Sequence, residues 1–387
     1  MTEGKLKIVF YTDTFLPARD GVVSSILLFK RELAKRGHEV YIFAASDRET
    51  QKQISGSRGI YIIPGVKWRR YPQYRLAMAP LATIQKVREI NPDVIHAHTP
   101  FIMGTWALAT AKINKIPIVG TFHTLFTDKT ALQQYVTRRF TKRVERLSWR
   151  YARFFYNRCD EVTAPSRTIK DILARNRVAN ISIVPNGVDT ARFNPKVKGG
   201  SVRRSLQRER GEKIVLYIGR MGREKKIETL LKAAKILKDE NIRFVLGGRG
   251  PSLEYYRHMA QRLRLANVDF AGFIDDRQLA RYYAACDVFC IPSTFETQGI
   301  VSLEAMATGK PVVAADSMAL REVIKNGKNG EKFKPNDPKS CAAKIKKVII
   351  NIDNYRDMRR TAELYSVEKA TDELLKVYQK AINDITV

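Results

Sequence analysis

The sequence predicts an α/β protein with two doubly wound, Rossmann-like parallel sheets, one in each half of the chain. Short β-branched runs alternate with amphipathic helical stretches, the pattern left by βαβ units that place helices on both faces of a sheet. The alternation restarts after residue 210. The 387 residues are also enough for two separate cores at roughly 100–200 residues per domain.

In the first half, KIVFYT (7–12) is a strand and SSILLFKRELAKRG (24–37) a helix, followed by the strand EVYIFAA (39–45). A helix near 80–90 and the strand DVIHAH (93–98) continue the series. The second half repeats it with KIVLYIG (213–219), the helix IETLLKAAKILKD, then FVLGG (244–248), VDFAGF (268–273) and DVFCIPS (287–293). A helix from about 300 to 308 and the strand KPVVAAD (310–316) complete the unit. Neither half contains GxGxxG, so a dinucleotide fingerprint is absent. NGVDTARFNPKVKGGS (186–201) gathers Pro, Gly and Asn without periodicity, as linkers do. The expected domains are therefore 1–190 and 191–365, with a ligand cleft between them. The apolar period from Val367 to Ile382 makes 366–387 a helix long enough to cross back onto the first domain.

With 44% hydrophobic and 28% charged residues the chain is expected to fold, which excludes disordered and fibrous classes. Charge is the outlier: 69 Lys and Arg against 39 Asp and Glu leave +30. Such an excess implies a polyanionic partner, whether nucleic acid, an anionic membrane surface or a phosphorylated substrate. A nucleic-acid-binding protein is the rival from another class. It lacks any helix-turn-helix, zinc-finger or RNP pattern, so no nucleic-acid partner is expected. Cys159, Cys286, Cys290 and Cys341 stand in no CxxC pair and beside no histidine at ligand spacing, so they are expected to be buried thiols, with no metal site. The N-terminal KLKIVFYTDTF turns polar too quickly for a secretory segment, and no apolar run approaches the roughly 20 residues of a spanning helix. A cytoplasmic protein, peripheral on the inner face of the cell membrane, is the expectation.

The most informative segment is STFETQGIVSLEAMATGKPVVAAD (293–316), where Glu296 and Glu304 stand eight apart with Gly299 between them. Gly299 can open a helix at a strand's carboxyl end, its amides facing a phosphate or sugar, with Glu304 two turns on along one face. In GRMGREKK (219–226), Arg220 directly follows an apolar strand, where a doubly wound sheet exposes its ligand-binding side chains. The first segment resembles the Glu-x7-Glu motif of glycosyltransferase family 4, including the LEAMA and GKPVVA runs, and the second resembles that family's GR-x-x-x-EK. YTDTFLPARDGVVSSI (11–26) is similar to its first phosphate-facing loop, and GTFHT (120–124) puts His123 where the family has an active-site histidine. GGRGP (247–251) resembles a nucleotide-proximal turn, with Arg249 where the family usually has an acidic residue, a departure that leaves the base contact open.

The resemblance implies a GT-B fold and a retaining glycosyltransferase that takes a nucleotide sugar as co-substrate and needs no metal. It implies His123, Glu296, Arg220 and Lys225 as the catalytic set. Gly21, Arg220, Lys225, Gly250, Ile274, Glu296, Gly299, Ile300 and Glu304 would contact the donor. Arg220 and Lys225 would meet the diphosphate and Glu304 the ribose. Glu296 would hold hydroxyls of the transferred sugar as a positioning group, so the two-carboxylate scheme of glycoside hydrolases does not apply. The first domain would bind acceptor and the second the nucleotide sugar.

TRRFTKRVERLSWRYARFFYNR (137–158) bears on the acceptor. Phe140, Val144, Leu147, Tyr151 and Phe154 follow a 3, 4 spacing expected to form one helix face, with Arg139, Lys142, Arg146, Trp149, Arg150 and Arg153 on the other. That basic face suits an anionic bilayer surface, although a core-packed helix with a solvated basic face fits the same spacing. Within the family, the resemblance is to lipid glycosyltransferases, notably diacylglycerol glucosyltransferases. It implies UDP-glucose as donor and a membrane lipid as acceptor. GDP-mannose with a phosphoinositide, polyprenyl-linked or soluble sugar acceptor is the alternative.

Overall fold

The computed structural model describes residues 4–17, 20–47, 49–50, 52, 59–68, 71–77, 81–127 and 138–386. Ala18 and Arg19 of the predicted phosphate-facing loop lie outside the described residues, as do the residues at 128–137 that precede the basic helix. The chain divides into two compact units, one formed by Met1–Gly187 with Val367–Val387, the other by Val188–Ser366.

The first unit holds an eight-stranded sheet in the order β4-β3-β2-β1-β5-β6-β7-β8. Its strands are β1 (Lys7–Thr12), β2 (Glu39–Ser46), β3 (Ile60–Trp68), β4 (Tyr71–Ala77), β5 (Val94–Ala97), β6 (Ile118–Thr121), β7 (Glu161–Ala164) and β8 (Ile181–Ile183). All neighbours pair in parallel except β3 and β4. The helices are α1 (Gly21–Lys35), α2 (Leu81–Ile90), α3 (Ile102–Asn114), α4 (Arg138–Tyr156) and α5 (Arg167–Arg175). Asp20 starts α1 by accepting from the amides of Val22 and Val23, at 3.0 and 2.9 Å. The helix then buries Val22, Val23, Ile26, Phe29 and Leu33 at helical spacing. The C-terminal helix, Val367–Thr386, packs Ala370, Leu374, Val377, Tyr378 and Ala381 into the same core. Arg36 of the turn after α1 pairs with Asp372 and donates to the carbonyl of Glu368 on that helix.

The second unit holds six strands in the order β11-β10-β9-β12-β13-β14, all parallel. They are β9 (Lys213–Ile218), β10 (Ile242–Gly247), β11 (Val268–Gly272), β12 (Val288–Ile291), β13 (Val312–Ala315) and β14 (Gly330–Phe333). The helices used below are α6 (Gly200–Leu206), α7 (Ile227–Ile236), α8 (Leu253–Arg262), α9 (Asp276–Ala285) and α10 (Ile300–Ala307). In each sheet the strand order reverses once, between β1 and β5 and between β9 and β12. Doubly wound sheets bind ligands outside the carboxyl ends of strands at that reversal. The fold is α/β with two sheets, parallel as the alternation of runs predicts except at the β3–β4 edge of the first.

One expectation is overturned. Of the five apolar residues expected on one face of α4, three turn outward, Phe140 at 52% exposed, Leu147 at 56% and Phe154 at 52%. Val144 and Tyr151 are half-buried, and the Tyr151 hydroxyl donates to the carbonyl of Pro100. The buried stripe is Thr141, Ala152, Phe155 and Tyr156. The reason lies in the two adjacent aromatics at its end. Phe155 packs over Gly104, where an added Cβ would lie 3.0 Å from its ring, and the Tyr156 hydroxyl donates to the carbonyl of Thr121 at 3.2 Å. Anchoring these two fixes the helix rotation, and residues seven and fourteen before Phe154 turn outward with it. Trp149 is half-buried and stacks on Phe122 at 6.3 Å, tied to the core and not ranged with the exposed basic residues. Lys142, Arg143, Arg146 and Arg150 are exposed, so apolar and basic side chains share the outward face; the side chain of Arg139 lies outside the described residues.

Candidate active site

At the reversal of the second sheet, the loops after β9 and β10 lie backbone to backbone. The Gly219 amide donates to the Gly247 carbonyl at 3.0 Å and the Met221 amide to the Arg249 carbonyl at 2.9 Å. A Cβ on Gly248 would sit 1.9 Å from the Gly219 oxygen, and one on Gly250 2.5 Å from the Met221 oxygen, so both glycines are required by packing. Ile274, after β11, lies over the end of β10, within 2.3 Å of a Cβ built on Gly247. Arg249 sits over the exposed ring of Phe273, 5.3 Å from its centre.

The loop after β9, which includes the turn at Arg223–Lys225, brings two cations to this edge. Lys225 Nζ lies 2.7 Å from Glu296 Oε1, joining the loop after β9 to the loop after β12. Arg220 Nη1 is 3.4 Å from Glu224 Oε1. Each cation thus has a carboxylate of the protein's own. Gly299 takes φ 79°, a left-handed conformation that suits glycine, and an added Cβ would strike Leu320 at 2.8 Å. It opens α10 at Ile300 without a capping side chain, so the first-turn amides form the positive end of the helix. Glu304, on α10, accepts a hydrogen bond from the Tyr283 hydroxyl of α9 at 2.7 Å. Burial pushes its carboxyl up to about 7, against the opposing pull of Tyr283 and Arg192.

At the reversal of the first sheet, Asp13 follows β1 and is buried. Its carboxylate accepts from the Thr99 hydroxyl at 2.6 Å and from the Met103 amide in α3 at 2.9 Å. Burial raises its carboxyl to about 6. Gly21 is the exposed first residue of α1, and the amides of the next two residues are already engaged by Asp20. His123, beyond β6, is buried with both ring nitrogens engaged. Nε2 meets His98 Nδ1 at 2.9 Å and Nδ1 meets Asn186 Oδ1 at 3.0 Å. Burial lowers its imidazole to about 4.

The sequence pointed to neither Asp13, His98, Asn186, Glu224 nor Tyr283. His98 is the last residue of the run identified as the strand 93–98 and Asp13 directly follows the run 7–12, and that position was the available signal. Among the described residues no group of three or more His, Cys, Asp and Glu side chains is arranged to hold a metal ion. The four cysteines are buried and free.

Residues 201–365 match the family model for glycosyl transferases group 1, and 19–192 match that for Glycosyltransferase Family 4. Over 328 residues the chain is 32% identical to alpha-monoglucosyldiacylglycerol synthase of Streptococcus pneumoniae, covering 82% of this chain and 73% of that one. The chain belongs to glycosyltransferase family 4. As a member of that family it is a glycosyltransferase. It is also 28% identical over 333 residues to a GDP-mannose-dependent alpha-mannosyltransferase of Corynebacterium glutamicum, covering 84% and 76% of the two chains. HepE of Anabaena, solved in complex with UDP-glucose, has a TM-score of 0.74 and 20% identity over 96% of this chain and 98% of its own, a likeness of fold, GT-B.

Proposed function

We propose that this glycosyltransferase moves glucose from UDP-glucose, with retention of the α configuration, to a membrane lipid such as diacylglycerol. The observation that carries the chemistry is the meeting of Lys225 and Glu296 at the strand reversal of the second sheet, beside Arg220 and the amino end of α10. As the bond to the nucleoside diphosphate breaks, negative charge grows on the leaving phosphate. Arg220, Lys225 and the amides of Ile300 and its neighbours stabilise that charge more in the transition state than before it. No metal is needed for that task. Glu296 orients hydroxyls of the sugar, and the free oxygen of Glu304 accepts from the ribose while Tyr283 holds the other. The acceptor hydroxyl attacks from the face the phosphate leaves, and its proton passes to the departing phosphate oxygen. Gly21 approaches the diphosphate and His123 lines the sugar pocket. Ile274 and Gly250 shape the nucleoside side.

The lipid acceptor is favoured by the relative that carries diacylglycerol in its name and by the outward face of α4, where three exposed apolar residues stand among arginines. That face suits the anionic inner surface of a bilayer. Among the described residues no helix is long and apolar enough to cross a membrane. The mannosyltransferase relative supports a second reading, GDP-mannose with a phosphoinositide, polyprenyl-linked or soluble sugar acceptor. Incubation with radiolabelled UDP-glucose, UDP-galactose and GDP-mannose, each with diacylglycerol vesicles and with a phosphoinositide, separates the two. Label from UDP-glucose in diacylglycerol is expected. Label only from GDP-mannose overturns the first reading in favour of the second.

A further inference from the structure

His98, His123 and Asn186 form a line of hydrogen bonds whose protons are set from one end. Asn186 turns its amide oxygen Oδ1 to His123, and the Ser25 hydroxyl of α1 lies on the same side, 3.3 Å from the Asn186 backbone carbonyl and 3.4 Å from Oδ1. An oxygen only accepts, so His123 carries its proton on Nδ1. In a neutral ring Nε2 is then an acceptor, and His98 Nδ1 must donate to it. His98 Nε2 is left as a bare acceptor, buried and without a hydrogen-bond partner among the described residues. The rings are fixed as well as the protons. His98 stacks on His96 at 4.0 Å and against Phe10 at 4.6 Å. His96 is held by Thr121 at 2.5 Å and by Tyr378 of the C-terminal helix at 2.7 Å.

We propose that His98 and Asn186 are positioning residues that hold His123 in one orientation with its proton on Nδ1 for its contact with the transferred sugar. The inference rests on the reading of His123 as a sugar-pocket residue. The groups turned towards His123 are His98 from the end of β5, with His96 behind it, and Asn186, with Ser25 of α1 beyond. Burial lowers all three imidazoles, so the line is neutral at physiological pH. An orphaned acceptor at its end is a cost that apolar residues in these places would not carry.

Nitrogen-15 NMR of the histidines, together with transfer from radiolabelled UDP-glucose into diacylglycerol vesicles, tests this. The parent protein should show His123 protonated on Nδ1 from about pH 6 to 8. His98→Leu should lower kcat by roughly tenfold or more with KM for the donor little changed, and should shift the His123 proton. His98→Asn, whose amide nitrogen reaches the place of Nδ1, should recover most of the rate. His98→Gln, whose amide lies further out, should not. Asn186→Asp should raise the His123 pKa and give the rate a pH dependence in this range that the parent lacks. A folded His98→Leu protein with the parental rate or the parental tautomer overturns the proposal, as does equal recovery by Asn and Gln. Full turnover in His123→Ala would instead remove the sugar-pocket reading; loss there with none in His98→Leu removes the positioning alone.

Discussion

Glu296 and Lys225 neutralise each other across two loops, so a diphosphate that takes Lys225 must compete with Glu296. Glu296→Gln should therefore bind UDP more tightly, by up to about 1 kcal/mol, the range of a partly exposed ion pair, while transfer falls by at least about tenfold because the sugar loses its orientation. Calorimetry with UDP beside a turnover assay checks both halves; weaker UDP binding would show that Glu296 supports the nucleotide and not the sugar. Glu304 gives a pH signature. Its carboxyl stands near 7, raised mainly by burial, and accepting ribose hydroxyls favours the ionised form. Its raised value means that ionisation costs folding stability: the cost is absent below the unfolded carboxylate range and grows as pH rises towards 7. UDP affinity should rise between about pH 6 and 8 with proton release, and Glu304→Gln should abolish that rise. The sequence revealed Glu296 and Glu304 through their spacing, but not Lys225 as the partner of Glu296, because the pair spans 71 residues and only the sheet order brings β9 beside β12. His98, Asn186 and Tyr283 were hidden for the same reason.

Elements were legible by the apolar character of their runs and not by length. The four-residue strands Val94–Ala97, Val288–Ile291 and Val312–Ala315 lie within identified runs. The nine-residue Ile60–Trp68 and seven-residue Tyr71–Ala77, interrupted by Pro64, Gly65, Pro72 and polar residues, do not, nor do Ile118–Thr121, Glu161–Ala164 and Gly330–Phe333. Helix α4 misled because it carries more large apolar residues than the core beneath it receives. Spacing shows that such residues share a face, but not which face turns inward. The outward set gives a test. Replacing Phe140, Leu147 and Phe154 together by Ser should leave thermal stability nearly unchanged and reduce sedimentation with anionic liposomes. Reversing Arg143, Arg146 and Arg150 should weaken that binding by roughly 3 kcal/mol, about 1 kcal/mol per residue, and salt should do the same. Trp149→Ala should instead lower the melting temperature, since its ring lies on Phe122. Unaltered liposome binding in both surface variants would make α4 an ordinary packed helix.

The two sheets divide the groups proposed to act. The first places His123 with its histidine and amide neighbours at one strand reversal, and the second places Arg220, Lys225, Glu296 and Glu304 at another. The proposed charge stabilisation by Arg220 and Lys225 calls for no added cation, so EDTA should leave transfer unchanged, and a strong dependence on added divalent ions would contradict that assignment. The proposed reaction is α-retaining glucosyl transfer from UDP-glucose to lipid, and NMR of the product reads both its stereochemistry and its acceptor. UDP-glucose labelled with carbon-13 at the anomeric position, incubated with diacylglycerol in anionic vesicles, should yield a lipid-soluble glucoside whose anomeric carbon shows the α coupling. A β product, or label that reaches only water as free glucose while GDP-mannose labels lipid, would contradict it.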